Sequence, residues 1–201
     1  QYPTVDDLAA ASEDDVLKLW QGLGYYSRAR NLHAAAKQIV ALGKFPDTLE
    51  GIKSLKGVGD YTAAAIASFA FDIPAAVVDG NVYRVLSRYF GIDTPINSTQ
   101  GKKEFAALAQ SLLPVSDGSS ASKFSSLEKI RPNEFDMELS PVSAYNQGMM
   151  DFGAIQCTPQ SPKCLICPLA ETCEALRCGK VDDLPVKNKT LKVKTRHLSY
   201  I

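Results

Sequence analysis

Four cysteines near the C-terminal end of the chain have the type and spacing of metal ligands. Cys157, Cys164, Cys167 and Cys173 follow the pattern C-x6-C-x2-C-x5-C, and Cys178 falls outside it as a spare thiol. Five cysteines in a chain without a visible export signal favour metal ligation over disulfides. Zinc ribbons usually carry two CxxC pairs, whereas this stretch has one, so the four thiolates suit a [4Fe–4S] cluster better. Structural zinc is the alternative.

A glycine turn followed by an aspartate is the second pattern that could do chemistry. Gly57, Val58 and Gly59 form a tight turn that can bind a phosphate through backbone amides, because glycine permits positive φ. A helix beginning at Asp60 would direct its positive end toward the same phosphate. Asp79 starts the next helix, where a helix cap is its simplest explanation. A carboxylate there could also stabilise a positively charged, oxocarbenium-like transition state.

A third stretch combines aromatic and basic residues in a glycine-rich turn. Between Trp20 and Arg30 lie two tyrosines, Tyr25 and Tyr26, and then Arg28. Such a turn suits stacking on nucleic-acid bases and contact with phosphates. Simple aromatic packing within a loop is the alternative.

Composition and periodicity predict a nearly all-α protein that must position these residues. The hydrophobic fraction of 45% can build a core, while 22 basic and 22 acidic residues leave no global positive field, so any DNA contact must be local. Apolar positions predict helices over 12–20, 27–42, 60–71, 79–90, 100–113 and 142–155, with a short helix after residue 48. In the second, Leu32, Ala35, Ile39 and Leu42 should form the buried stripe.

Together these stretches resemble the helix-hairpin-helix DNA glycosylases that carry an iron–sulfur cluster, and among them the MutY-type adenine glycosylases. Residues 20–32 match the motif WxGLGYYxRARNL, and residues 71–88, 145–154 and the cysteine loop also match. The resemblance implies a helical barrel lobe over 1–113, with its hairpin at about 50–71, and a cluster lobe over 141–178. Residues 114–140 would form a long surface loop, and 179–201 a linker toward a missing C-terminal Nudix-like domain.

The resemblance also implies roles for individual residues. Asp79 would be the catalytic carboxylate, with Tyr61 and Asn81 in the same pocket. Bifunctional relatives carry a lysine at the position of Tyr61, so a monofunctional enzyme is expected. Tyr25 would wedge into the duplex. The remaining DNA contacts would come from Lys56, Gly57, Val58, Gly59, Arg28 and Arg30, with a monovalent cation at the hairpin when DNA is bound.

The implied function is hydrolysis of the N-glycosidic bond of adenine mispaired with 8-oxoguanine or guanine in double-stranded DNA. We expect a monomeric, cytoplasmic protein, bacterial and nucleoid-associated, without membrane contact. The family's general acid is a glutamate in a segment that would precede Gln1, so this chain alone is expected to be nearly inactive. Two alternatives are an endonuclease III-like glycosylase acting on oxidised pyrimidines and a non-catalytic DNA-binding module with a structural metal.

Overall fold

A computed structural model describes residues 1–114 and 139–189 of the protein. Within them the regular elements are all helical and no strand occurs, which confirms the predicted all-α class. The α-helices are α1 (Val5–Ala10), α2 (Glu13–Leu19), α3 (Ser27–Leu42), α4 (Leu49–Lys53), α5 (Asp60–Ala70), α6 (Gly80–Phe90), α7 (Thr99–Ser111), α8 (Pro141–Ile155) and α9 (Glu174–Arg177). The predicted loop over 114–140 lies outside the described residues except at its two ends.

Side-chain caps set the starts of most helices, which is why the sequence located them well. Ser12, Thr48, Ser98 and Ser140 each accept a hydrogen bond from a backbone N–H of the first turn of the following helix. Gly43 ends α3 in the left-handed conformation at φ 75°. Local cap residues therefore set where these four helices begin, and Gly43 sets where α3 ends.

Helix α6 lies at the centre of the fold and packs on α7, α8 and α9, while α4 and α5 form a helical hairpin that also contacts α8. One apolar cluster joins the hairpin to the chain that follows it: Ile52, Ala63, Ala64, Ala67, Ala75 and Val77. A second joins α6 to α7: Val82, Leu86, Ile96, Phe105 and Ala109. Met150 of α8 packs against both clusters and so connects them.

The predicted buried stripe of α3 is wrong at both ends. Leu32 and Leu42 are 50% and 60% exposed, whereas Ala29, His33 and Ala36 are buried. The short helices α1 and α2 pack on the small-residue side of α3, where alanines allow close approach. His33 completes that contact, because its Nε2 lies 3.1 Å from the carbonyl oxygen of Ala11.

The described part of the predicted linker packs against the body of the protein. The amide of Ile96 donates to the carbonyl of Val186 at 3.0 Å, and Asn97 exchanges two 2.8 Å hydrogen bonds with the backbone of Asn188. Residues 190–201 lie outside the described residues. Among the helices that are described, none has the length and apolarity needed to cross a membrane.

Candidate functional site

The four predicted cysteine ligands line one partly open cavity next to α6. All four are partly exposed, and two 3-10 turns, Cys164–Ile166 and Ala170–Thr172, bend the loop around the cavity. Within the described residues, no group of three or more His, Cys, Asp or Glu side chains is close enough to hold a single metal ion. Four cysteines that line one cavity are nevertheless the donor set that an iron–sulfur cluster needs.

A buried arginine supports this cavity from the α6 side. Arg88 is only 3% exposed, and its Nη1 lies 3.5 Å from the Sγ of Cys157. The same guanidinium donates to the carbonyls of Leu184 at 3.0 Å, Thr158 at 2.8 Å and Pro159 at 3.2 Å. Its positive charge offsets the negative charge of clustered thiolates. Burial and the neighbouring cysteines nevertheless raise the pKa of Cys164.

Asp79 is the cap of α6, and its carboxylate is fully oriented by its neighbours. Oδ1 accepts the backbone N–H groups of Asn81 and Val82 at 2.8 Å each, and Oδ2 accepts from Nδ2 of Asn81 at 2.8 Å. The residue is half-buried. The cap explanation is correct for the structure, and the same hydrogen bonds orient the carboxylate.

Asn81 is held in turn by a second buried arginine, which the sequence reasoning missed. Arg84 Nη2 donates to Oδ1 of Asn81 at 2.8 Å and to the carbonyl of Gly153 at 2.6 Å, and its Nε donates to the carbonyl of Cys157 at 2.7 Å. Burial lowers the pKa of Arg84. A continuous set of hydrogen bonds therefore links Asp79 to α8 and to the cysteine loop. The sequence did contain a signal for these contacts: two arginines, Arg84 and Arg88, lie one turn apart in a strongly amphipathic helix.

Two side-chain amides hold the extended segment that leads into Asp79. Gln110 of α7 accepts the N–H of Ala76 at 3.0 Å and donates to the carbonyl of Pro74 at 2.7 Å. The buried Asn146 of α8 accepts the N–H of Val77 at 3.1 Å and donates to the carbonyl of Ala75 at 2.9 Å. The segment is thus fixed from two helices before α6 begins.

The glycine turn between α4 and α5 has the geometry of an open anion site. Gly57 has φ +80°, and the N–H of Val58 donates to the carbonyl of Leu55 at 3.1 Å, as in a type II turn. Gly59 caps α5 without a side-chain acceptor. Among the described residues, no acceptor is bonded to the N–H groups of Gly57, Gly59, Asp60, Tyr61 and Thr62. The Val58 amide, in contrast, is already used, and its side chain packs on the core.

One electrostatic interaction links the start of α5 to α6. Burial and the charge of Asp60, the first residue of α5, raise the pKa of Tyr83 in α6. Tyr61, also in the first turn of α5, is 47% exposed, and Lys56 on the turn is exposed as well. The start of α5 therefore presents an exposed tyrosine and an exposed lysine beside the glycine turn.

The aromatic turn before α3 is exposed and ordered by its own contacts. Tyr25 is 83% exposed and adopts φ +47°, an unusual conformation for a residue with a side chain. The guanidinium of Arg28 lies 5.4 Å from the centre of the Trp20 ring and 5.7 Å from that of Tyr25. Arg30 points elsewhere, because its Nε pairs with Glu13 at 2.8 Å.

The hairpin, the capped aspartate and the cysteine loop define a helix-hairpin-helix protein with an iron–sulfur domain, and comparison with known families agrees. Residues 1–114 match the HhH-GPD superfamily base excision DNA repair proteins, and residues 157–173 match the iron–sulfur binding domain of endonuclease III. Because the first match covers more than half of the chain, this protein belongs to the HhH-GPD superfamily of base excision DNA repair proteins. The predicted fold and the predicted [4Fe–4S] cluster are confirmed.

Several relatives are similar over most of the chain. The adenine DNA glycosylase of Homo sapiens is 41% identical over 87% of this chain and 28% of the human protein. That of Buchnera aphidicola from Acyrthosiphon pisum is 36% identical over 96% of this chain and 49% of the relative. The chain thus spans less than half the length of these two relatives.

Two solved structures are also similar. A thermostable thymine-DNA glycosylase has 29% identity and a TM-score of 0.69, over 88% of this chain and 71% of that one. An endonuclease III–DNA complex, at 23% identity, has a TM-score of 0.61 over 89% of this chain and 72% of that one, which supports the fold alone.

Proposed function

We propose that this chain is part of a monofunctional DNA glycosylase that removes adenine paired with 8-oxoguanine or guanine. The observation that carries the proposal is the Asp79 carboxylate, which three hydrogen bonds orient at the start of α6. The similarity to adenine DNA glycosylases of human and bacterial origin supports adenine as the base. In this proposal the adenine nucleotide leaves the duplex and enters the site at the two helix starts.

Asp79 would act on the sugar. Breaking the N-glycosidic bond develops positive charge on the deoxyribose, and a fixed anion nearby stabilises that charge without having to reorganise. Hydrogen bonds from Asn81 and from the α6 start hold the carboxylate in one orientation. Asn81 therefore helps to position Asp79 for that role.

Tyr61 would make the enzyme monofunctional. A lysine amine at this position could attack the sugar and form a Schiff base, which leads to strand cleavage. A phenol cannot form that imine. Half-exposed in the first turn of α5, Tyr61 would instead line the pocket beside Asp79.

The DNA backbone would be bound at the hairpin and the aromatic turn. Unpaired N–H groups at Gly57 and Gly59, followed by the start of α5, suit a phosphate and the predicted monovalent cation nearby. Lys56 adds a positive charge at the surface. Tyr25, exposed and fixed by Arg28, suits insertion between bases, whereas the ion pair with Glu13 must open before Arg30 can contact a phosphate.

The cysteine loop would hold the cluster through Cys157, Cys164, Cys167 and Cys173. Bound there, a [4Fe–4S] cluster supplies structural crosslinking of the loop. Arg84 and Arg88 connect this loop to α6, so the loop and the carboxylate are parts of one hydrogen-bonded unit. Lys163, exposed between the first two cysteines, would face the DNA backbone.

The test is base excision by the intact protein on duplexes with adenine opposite 8-oxoguanine. Asp79→Asn should lower the single-turnover rate by about 10²- to 10³-fold, the scale of losing an electrostatic stabiliser, while duplex affinity is kept. Asp93→Asn, at an exposed position on the loop after α6, is the matched control and should be neutral. Undiminished excision by the Asp79 variant would remove that residue from the mechanism.

Assays with other substrates distinguish adenine removal from related activities. Thymine release from G:T duplexes would indicate the activity named for the thymine-DNA glycosylase relative, and borohydride trapping of a protein–DNA adduct would indicate a lyase of the endonuclease III kind. Binding without release of any base would favour a non-catalytic DNA-binding module.

A further inference from the structure

Helix α3 connects the two surfaces that the proposed function assigns to DNA. Its N-terminal end carries the aromatic turn with Tyr25, and its middle faces the glycine turn. Asn31 and Gln38 are seven residues apart and so lie on the same face of the helix, two turns from each other. Both contact the glycine turn, although the proposed function uses neither.

Gln38 holds one peptide group of the turn. Its Oε1 accepts the backbone N–H of Lys56 at 2.6 Å, and the carbonyl of that same peptide, from Leu55, accepts the N–H of Val58 at 3.1 Å. The Leu55–Lys56 peptide is therefore fixed at both ends. One of these bonds belongs to the turn itself, and the other comes from a different helix.

Asn31 limits the position of the next residue. A Cβ built on Gly57 would lie 2.5 Å from the Cβ of Asn31, so the backbone of the turn is in direct contact with α3. Gly57 begins the run of unpaired N–H groups proposed to bind phosphate. Helix α3 thus contacts both the Leu55–Lys56 peptide, just before the unpaired N–H groups, and Gly57, which carries the first of them.

We propose that Gln38 is a positioning residue for phosphate binding by the hairpin. Its side-chain carbonyl fixes the orientation of the Leu55–Lys56 peptide and so directs the amides of Gly57 and Gly59 toward the DNA backbone. Because α3 also carries Tyr25, the same contact sets the distance between the phosphate site and the aromatic wedge. This inference rests on the proposed DNA binding of the hairpin.

Three variants of the intact protein test it. Gln38→Met keeps the length of the side chain and removes the acceptor, whereas Gln38→Glu keeps an acceptor. Gln100→Met is the matched control, because Gln100 is exposed on α7 and its side chain makes no hydrogen bond to the described residues. Amide hydrogen exchange at Lys56 is measured without DNA. Two further measurements are the affinity for a duplex with adenine opposite 8-oxoguanine and the excision rate at saturating enzyme.

The expected result is specific to the turn. Gln38→Met should accelerate Lys56 exchange and weaken duplex binding by about 3- to 10-fold, the scale of one hydrogen bond, with an unchanged rate at saturation. Gln38→Glu should restore the slow exchange of Lys56. The control variant should match the unsubstituted protein in all three measurements.

Other results would overturn the inference. Unchanged Lys56 exchange and unchanged affinity in Gln38→Met would show that the contact does not position the turn. If Gln38→Met instead lowers thermal stability, visible cluster absorption and the saturating rate together, Gln38 has only a general structural role. If the unsubstituted protein does not bind the duplex, the proposed function fails instead, and the exchange data still report separately whether Gln38 orders the turn.

Discussion

The cysteine loop lies next to α6, and the glycine turn lies just before α5. Both are short, but they are stabilised by different kinds of interaction. The cysteine loop is tied to α6 by two buried arginines that donate to backbone carbonyls. The glycine turn relies on its own turn hydrogen bond, on Gln38, and on steric contact with α3. One loop is held by buried charge, and the other by uncharged hydrogen bonds and close packing.

The difference matches the roles that the proposed function gives to the two loops. A loop that holds a charged cluster needs fixed positive groups on its protein side, and buried guanidiniums supply them. A turn that binds phosphate through its amides must leave those amides unpaired, so its support has to come from the other side. The two kinds of support therefore fail in different ways when residues are changed.

The largest effect is expected from Arg88→Met. The carbonyls of Leu184, Thr158 and Pro159 would lose their donor in a buried setting, and the thiolates would lose a neighbouring positive charge, so we expect a destabilisation of about 3–5 kcal/mol. Iron content and visible absorption should fall with it. Denaturant unfolding and iron analysis measure both.

Arg30→Met is the control for that change, because it removes only an exposed ion pair with Glu13 and should cost less than about 1 kcal/mol. A fully stable, iron-loaded Arg88 variant would show that the loop is held by its cysteines alone.

A smaller effect is expected from Gly57→Ala. The substitution forces a side chain into positive φ, which costs about 1–2 kcal/mol, and places its Cβ against Asn31, which adds about 1–3 kcal/mol. Gly43→Ala is the matched control, since Gly43 has φ +75° with nothing within 4 Å. Duplex affinity should fall for the Gly57 variant only. Equal stability of the two variants would mean that Asn31 of α3 moves to make room for the new Cβ, and that α3 does not hold the turn in place.

The smallest effect concerns pH. Hydrogen bonds from Arg177, and then from Cys178, lower the pKa of Glu174 to about 2. A folded pKa below the unfolded value of about 4.3 means that this contribution is present above pH 4.3 and is lost as the pH falls toward 2. Arg177→Gln should move the carboxyl titration, followed by NMR, back upward. Identical titrations would show that the exposed pair is not formed in solution.

Sequence patterns predicted the parts of this molecule whose signals are local. The helix cap at Asp79 and the cysteine spacing depend on neighbours along the chain, and the corresponding helix α6 and the iron–sulfur domain were found. The start of α3 at Ser27 and its end at Leu42 were likewise predicted to the residue.

Features that depend on distant partners were not predictable in the same way. The apolar stripe of α3 was misassigned because hydrophobicity alone does not reveal that α1 and α2 pack against alanines and His33. Gln38 is an ordinary surface glutamine until the turn 18 residues away is brought beside it. Arg84 had a signal, an arginine in a helix of apolar residues, but its partners lie 69 and 73 residues further along the chain.

The extended segment before Asp79 has a consequence for how precisely the carboxylate is placed. Ala75 and Val77 point into the core while Pro74 is exposed, so the segment alternates as a strand does, with the amides of Gln110 and Asn146 as its pairing partners. A slip by one residue would turn the two apolar side chains to water and leave both amides mismatched. The distance from the core to the Asp79 carboxylate is thereby counted in whole residues, and no intermediate setting is available to the chain.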